Sequence, residues 1–258
     1  RARLMEALGG VLWWQADLLA MKAAYREAVD IWRAQGVMAE IANALYNYSF
    51  GFAVNPDATA DPTAADPDGE GRRALLEALA MYEELGDLRG QANVLWGMGN
   101  GEYFHRVADA GEANIRRALE LFREVGDTTM AAGSQHMLGG ALLRLGRTGE
   151  ARPVLRDALR HFHGASDASG MAIILDDLAS LAVADADLPR AARIRGAARR
   201  LAAATGANLA NFVDTVFEAG TRPHVAGQMS PDDLARYQSE GAAMTLDEAV
   251  AYAHDTIG

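Results

Sequence analysis

Apolar residues recur along this chain at helical spacing, and polar residues fill the opposite faces. Within ARLMEALGGVLWWQ the apolar positions are Leu4, Leu8, Val11 and Leu12. From Leu18 to Gln35 they are Met21, Tyr25, Ala28 and Trp32, one stripe at i, i+4, i+7 and i+11. Asp17 reads as the N-cap of that second helix and Gly36 as its stop. The same reading predicts helices near 37–53 and 72–86, then pairs at 88–104 and 110–125, 128–145 and 149–163, and 169–184 and 188–205. Pro56, Pro62 and Pro67 forbid a helix through the stretch between the third and fourth. Asp109 with Glu112 reads as a capping box, and Asp187 as a cap ahead of Leu188-Pro189. Pro153 falls slightly deep in its helix, which predicts a late start or a small bend. After Gly206 helices are expected near 209–219, from Ser230-Pro231 to Gly241, and from a Thr245/Glu248 capping box to His254.

These helices are written to a period. EALAMYEELGD from Glu77 returns as RALELFREVGD from Arg117, then as DALRHFHGASD and AARRLAAATGA, so Ala78, Ala118, Ala158 and Ala198 stand forty positions apart. The backward step from Ala78 to Ala28 is fifty, which places a ten-residue insertion in the second unit, at the Pro/Asp/Ala-rich stretch 55–71. A fixed period of this length is the mark of a stacked helical repeat. The units run 1–36, 37–86, 87–126, 127–166 and 167–206, and residues 207–258 form an atypical C-terminal cap.

Composition narrows the function classes. Half of the 258 residues are apolar, yet no uncharged apolar run approaches membrane-spanning length, and no signal-peptide pattern is present, so a cytoplasmic protein with no membrane partner is expected. With no cysteine, disulfides, thiolate metal sites and cysteine nucleophiles are excluded. A net charge of −11 argues against direct nucleic-acid binding. The only lysine, Lys22, follows no glycine-rich loop, so there is no P-loop; HExxH, G-x-S-x-G and Rossmann patterns are absent too. The first residue is Arg1, and a fragment of something longer is expected.

Small residues at fixed offsets carry a resemblance. Leu8-Gly9 with Met21, Tyr25 and Ala28, Met98-Gly99 with Gly111, Ile115 and Ala118, and Leu138-Gly139 with Ala151, Leu155 and Ala158 resemble the tetratricopeptide repeat, at forty residues per unit where that repeat has thirty-four. The resemblance implies an all-α right-handed superhelix of about five helix pairs with a C-terminal helical cap. More narrowly, GGVLWWQADLLAMKAAYREAVDIWRAQG, YEELGDLRGQANVLWGMGN, RAARIRGAARRLAAATGA and EGAAMTLDEAVAYAH resemble the C-terminal repeat region of large bacterial regulators. These are LuxR/MalT-like or AfsR-like transcriptional regulators, or class III nucleotide cyclases, with a central P-loop ATPase. That resemblance implies a sensor or scaffold arm at the end of a switch protein.

Catalytic or metal constellations are weak. His161 and His163 are two apart, hence on different helix faces; Asp66, Asp68 and Gly69 begin like a calcium loop but lack its closing glutamate; the neighbours Asp176 and Asp177 point apart. No enzyme activity, cofactor or metal is expected. In tetratricopeptide proteins the first helix of each pair lines the concave face, and that register selects Trp13 and Trp14, then Asn43, Tyr46 and Phe50, then Asn93, Trp96, Asn100, Tyr103 and Phe104, then His136 and Arg144, and Asp176 and Ser180. Rings supply contact area, and amides supply paired donors and acceptors. As neighbours Trp13 and Trp14 cannot share one face, so one of them is a packing residue. The expected function is a non-catalytic module that binds a protein, a peptide, another domain of its own chain or a small effector. The alternative is an oligomerisation or docking scaffold without a ligand.

Overall fold

In a computed structural model of the chain, the described residues are 1–15, 17–52, 66, 68–104, 108–205, 225 and 227–254, with the side chains of 14, 102–104 and 108–110 outside the description. Among them are twelve α-helices, no strand, and no helix long and apolar enough to cross a membrane. The chain forms two compact units, 1–127 and 128–258. Unit one holds α1 (Ala2–Trp14), α2 (Leu18–Gln35), α3 (Met38–Ser49), a 3-10 turn (Phe50–Phe52), α4 (Glu70–Leu85), α5 (Leu88–Phe104) and α6 (Ala108–Glu124). Unit two holds α7 (Thr128–Arg144), α8 (Thr148–Gly164), α9 (Ala168–Ala184), α10 (Leu188–Ala204), α11 (Pro231–Ala242) and α12 (Leu246–His254). Within each unit consecutive helices from α1 to α6 and from α7 to α11 pack on one another, as a helical repeat requires, and α12 packs back on α8, α9 and α10.

The helix boundaries follow from local chemistry. Asp17 accepts from the Ala20 amide at 3.0 Å and Asp187 from the Arg190 amide at 3.1 Å, each satisfying a free donor of the first turn. Thr245 and Glu248 form the reciprocal capping box, with the Thr245 amide donating to Glu248 at 2.7 Å and the Glu248 amide donating to the Thr245 hydroxyl at 3.3 Å. Gly36, Gly86, Gly126 and Gly146 end their helices at positive φ. One repeat later, Ser166 and Ala186 take that conformation at φ 54 and 61, with a side chain that disfavours it.

Four expectations need correction. The helix from residue 37 does not run to 53: it ends at Ser49, and Phe50–Phe52 tightens into 3-10 geometry. The fourth helix begins at Glu70, inside the stretch assigned to the insertion, because Asp66 folds back to accept from the Gly71 and Arg72 amides at 3.2 and 3.1 Å. Asp109 lies inside α6, which begins at Ala108, so it is not that helix's N-cap. Of the two outcomes expected at Pro153, the late start does not occur: α8 begins at Thr148 and carries the proline in its second turn, giving up one backbone bond there. The helix expected near 209–219 and most of the insertion fall outside the described residues.

The repeat's small residues are explained by contact distance. A Cβ added at Gly9 would lie 2.5 Å from the Tyr25 ring, at Gly99 2.5 Å from Ile115, and at Gly139 2.2 Å from Leu155. In each pair, therefore, the first helix offers bare backbone to the same register position of the second. The core of unit one gathers Met21, Tyr25, Ala28, Leu45, Tyr48 and Tyr82 with their neighbours. Next to it Arg26 donates to the Tyr48 hydroxyl at 2.6 Å and to Glu70 at 2.8 Å, and Tyr48 donates to Glu70 at 2.6 Å. This triad ties the end of α3 and the start of α4 to α2 across the insertion. In unit two α9 is apolar on nearly every side because α7, α8 and α10 all pack on it.

Candidate functional site

Carrying the forty-residue step, fifty across the insertion, through the first helices places equivalent residues in columns. Glu6, Tyr46 and Trp96 form one column in unit one, continued at His136 and Asp176 in unit two; Phe50 and Asn100 form a second, continued at Ser180. In unit one these side chains form a half-buried aromatic and amide face. Phe50 is its centre: Trp13 meets it edge-on at 5.8 Å, Tyr46 at 5.1 Å, and Trp96 lies tilted at 6.3 Å. Edge-to-face contacts of this kind contribute about 0.5–1.5 kcal/mol each. Burial, with a smaller effect from Tyr82, pushes the Tyr46 phenol well above its ordinary pKa, so it stays neutral and able to donate.

The amides frame that cluster. Asn43 donates to Glu6 at 3.3 Å and accepts through its backbone carbonyl from the Asn47 side chain at 2.9 Å. Asn93 is half-buried on α5, one turn before Trp96. Two buried polar atoms of α5 have no hydrogen-bond partner among the described residues: the Trp96 indole Nε1 and the Asn100 Oδ1. They are a donor and an acceptor four residues apart, hence on one helix face. Trp32 Nε1 is also without an acceptor, but the Arg3 guanidinium stands over that ring at 5.5 Å. Beside the cluster, a cleft of about 170 Å³ opens where α5 carries Gly97 and Gly101 in place of side chains; Phe50, Phe52, Leu75, Met98 and Arg72 line it. Phe50 is common to the aromatic cluster and the cleft.

The selected residues of unit two have a different setting. His136 is buried and its Nδ1 is hydrogen-bonded with the fully buried Asp177 carboxyl. Asp176 turns the other way and lies 3.9 Å from the buried Arg195 guanidinium. Ser180 is buried with its hydroxyl donating to the Asp176 carbonyl at 3.2 Å, and Arg144 is half-buried at the end of α7. His161 packs edge-on to Phe162, and His163 meets Asp247 at 3.0 Å. Trp14, Tyr103 and Phe104 are helical, but their side chains lie outside the described residues.

Of the residues selected from the sequence, the structure brings Trp13, Tyr46, Phe50 and Trp96 together, with Asn43 and Asn100 on the same helices; the three partners Glu6, Asp177 and Arg195, and the cleft at Gly97 and Gly101, were not among them. The glycine-dense GMGNG at 97–101 was a usable signal, since two of its glycines, Gly97 and Gly101, line the cleft while Gly99 packs at the helix crossing. No protein-family model matches the chain, and no curated protein sequence matches it.

Proposed function

We propose that this chain is a non-catalytic binding module of a larger bacterial signalling or transcriptional regulator, acting in the cytoplasm. In this reading it is a tetratricopeptide-like right-handed superhelix, residues 1–206 being repeats and 207–258 the cap. The face built by Trp13, Asn43, Tyr46, Phe50, Asn93, Trp96 and Asn100 takes a peptide or a small polar effector. The observation that carries the reading is the pair of buried, unpartnered atoms, Trp96 Nε1–H and Asn100 Oδ1, beside an aromatic cluster and an open cleft. Buried polar groups are costly to leave unpaired, and a ligand that accepts from one and donates to the other removes that cost. The rings provide area and the pair provides orientation, the usual division of labour in a ligand pocket. Binding then favours one arrangement of the helices over another, and the attached domains read that shift in population.

The test is the melting temperature of the chain against a panel of short peptides and metabolites. A ligand at one hundred times its dissociation constant adds about 2.7 kcal/mol, a rise of roughly 5–10 °C at this size. The rise is expected to disappear in Trp96→Phe, which keeps the ring area and deletes the donor, and in Asn100→Ala. An unchanged rise in both variants overturns the site. A panel without any effect, together with concentration-dependent light scattering, points to a scaffold.

A further inference from the structure

The first helix carries an exposed apolar stripe whose counterparts in the later pairs are buried, apart from the half-buried Gly101 at the place of Val11. Leu4, Leu8 and Val11, at i, i+4 and i+7 on α1, are 65%, 42% and 54% exposed. The repeat step aligns Leu4 with Ala44, Val94 and Ile174, and Leu8 with Tyr48, Met98 and Leu178. It aligns Val11 with Gly51 and Leu181. All of these counterparts are buried. What stands in front of them is the second helix of the preceding pair: α2 packs on α3, α4 on α5 and α8 on α9. The fit is close. A Cβ at Gly51, the counterpart of Val11, would lie 2.4 Å from Cγ of Lys22 on α2.

A charge on α2 repeats the pattern. Glu77 of α4 accepts from Arg33 of α2 at 2.6 Å, which ties neighbouring second helices together. Fifty positions earlier its counterpart is Glu27 of α2, which instead takes the exposed Arg1 at 2.7 Å. The apolar stripe thus presents to solvent what its counterparts bury, and the carboxylate meets an exposed arginine of its own unit where Glu77 joins two pairs.

We propose that the outer face of α1, with Glu27 beside it, is a docking surface for the second helix of another helix pair of this same repeat type, outside these 258 residues. The partner's helix stands to α1 as α2 stands to α3: a small-residue stripe packs over Leu4, Leu8 and Val11, and an arginine near its end, in the place of Arg33, reaches Glu27. A second copy of this chain is a poorer occupant. Four of its five second helices are already covered: α2, α4 and α8 by the helix that follows, and α10 by α11.

The experiment joins a copy of residues 88–130 directly ahead of Arg1, which keeps the repeat register, and follows melting temperature and hydrogen exchange with and without Leu8→Arg. The grafted chain is expected to melt at least about 5 °C higher, with slowed exchange along α1. Leu8→Arg should cancel most of that gain in the grafted chain yet change the parent little, because Leu8 is exposed there. A graft that raises neither melting temperature nor protection overturns the proposal, as does an equal effect of Leu8→Arg in both chains. Concentration-dependent dimerisation of the parent that Leu8→Arg abolishes also overturns it, by giving the face to a second copy.

Discussion

The two units place different chemistry at the same register positions. In residues 1–127 the column holds Glu6, Tyr46 and Trp96, with Phe50 and Asn100 beside them, all half-buried. In residues 128–258 it holds His136 and Asp176, with Ser180 beside them, and these are tied into pairs with Asp177, Arg195 and a backbone carbonyl. Unit one leaves a donor and an acceptor unanswered next to ring surface; unit two joins its titratable groups to each other. A satisfied polar network specifies packing, whereas an unsatisfied one is where a ligand has something to gain. The same backbone register therefore carries an aromatic face with two unpaired polar atoms in one unit and charged pairs between helices in the other.

The largest expected effect tests the cohesive half. Asp177→Ala leaves His136 buried without that carboxylate and should cost about 3 kcal/mol, a fall of roughly 6–12 °C in melting temperature. Tyr46→Phe in the column of unit one should cost under about 1 kcal/mol. Thermal melts of the two variants measure the contrast, and equal losses would erase it.

A smaller effect concerns helix ends. In unit one the helix ends at positive φ are glycines (Gly36, Gly86 and Gly126), while in unit two Gly146 is joined by Ser166 and Ala186. Ser166→Gly and Ala186→Gly should each stabilise by about 0.5–1 kcal/mol, relief of the left-handed backbone outweighing the extra entropy of glycine. Denaturant midpoints should move up with the slope unchanged.

The smallest effect is the pH dependence of the triad in unit one. The Tyr48 hydroxyl, and then Arg26, hold the Glu70 carboxyl below its ordinary pKa, against an opposing push from desolvation. A depressed folded-state pKa contributes stability above the unfolded carboxylate value and loses it as pH falls through the folded value. Glu70 is well exposed, so the contribution is under about 1 kcal/mol after solvent screening. Glu70→Gln should therefore melt slightly below the parent at pH 7, and the gap should shrink as pH falls below the ordinary carboxylate range and through the depressed folded value.

Much of the fold was legible because its determinants are local and repeated. Leu18–Gln35 and Leu88–Phe104 were bounded correctly from caps, glycine stops and apolar spacing. Gly9, Gly99 and Gly139 marked the helix crossings, since a glycine within one phrase recurring every forty residues has a packing reason. The start of α4 was misplaced because Asp66, four residues ahead of it, caps it through its side chain from within a proline-rich stretch.

The site was legible as residue types and illegible as partners. Helical register by itself put Tyr46, Trp96, His136 and Asp176 in one column, because each helix turns through the same angle per residue. Which of them stay half-open depends on what neighbouring helices bring opposite. Asp177, set aside as the mismatched neighbour of Asp176, became the partner of His136 only because α9 packs beside α7. The stripe Leu4, Leu8 and Val11 reads in sequence like any core-facing stripe, and burial is a property of the neighbour as much as of the residue. Periodicity along the chain determined the helices and the repeat; adjacency between helices decided which polar atoms were satisfied and which surfaces stayed open, because those depend on contacts between residues far apart in sequence.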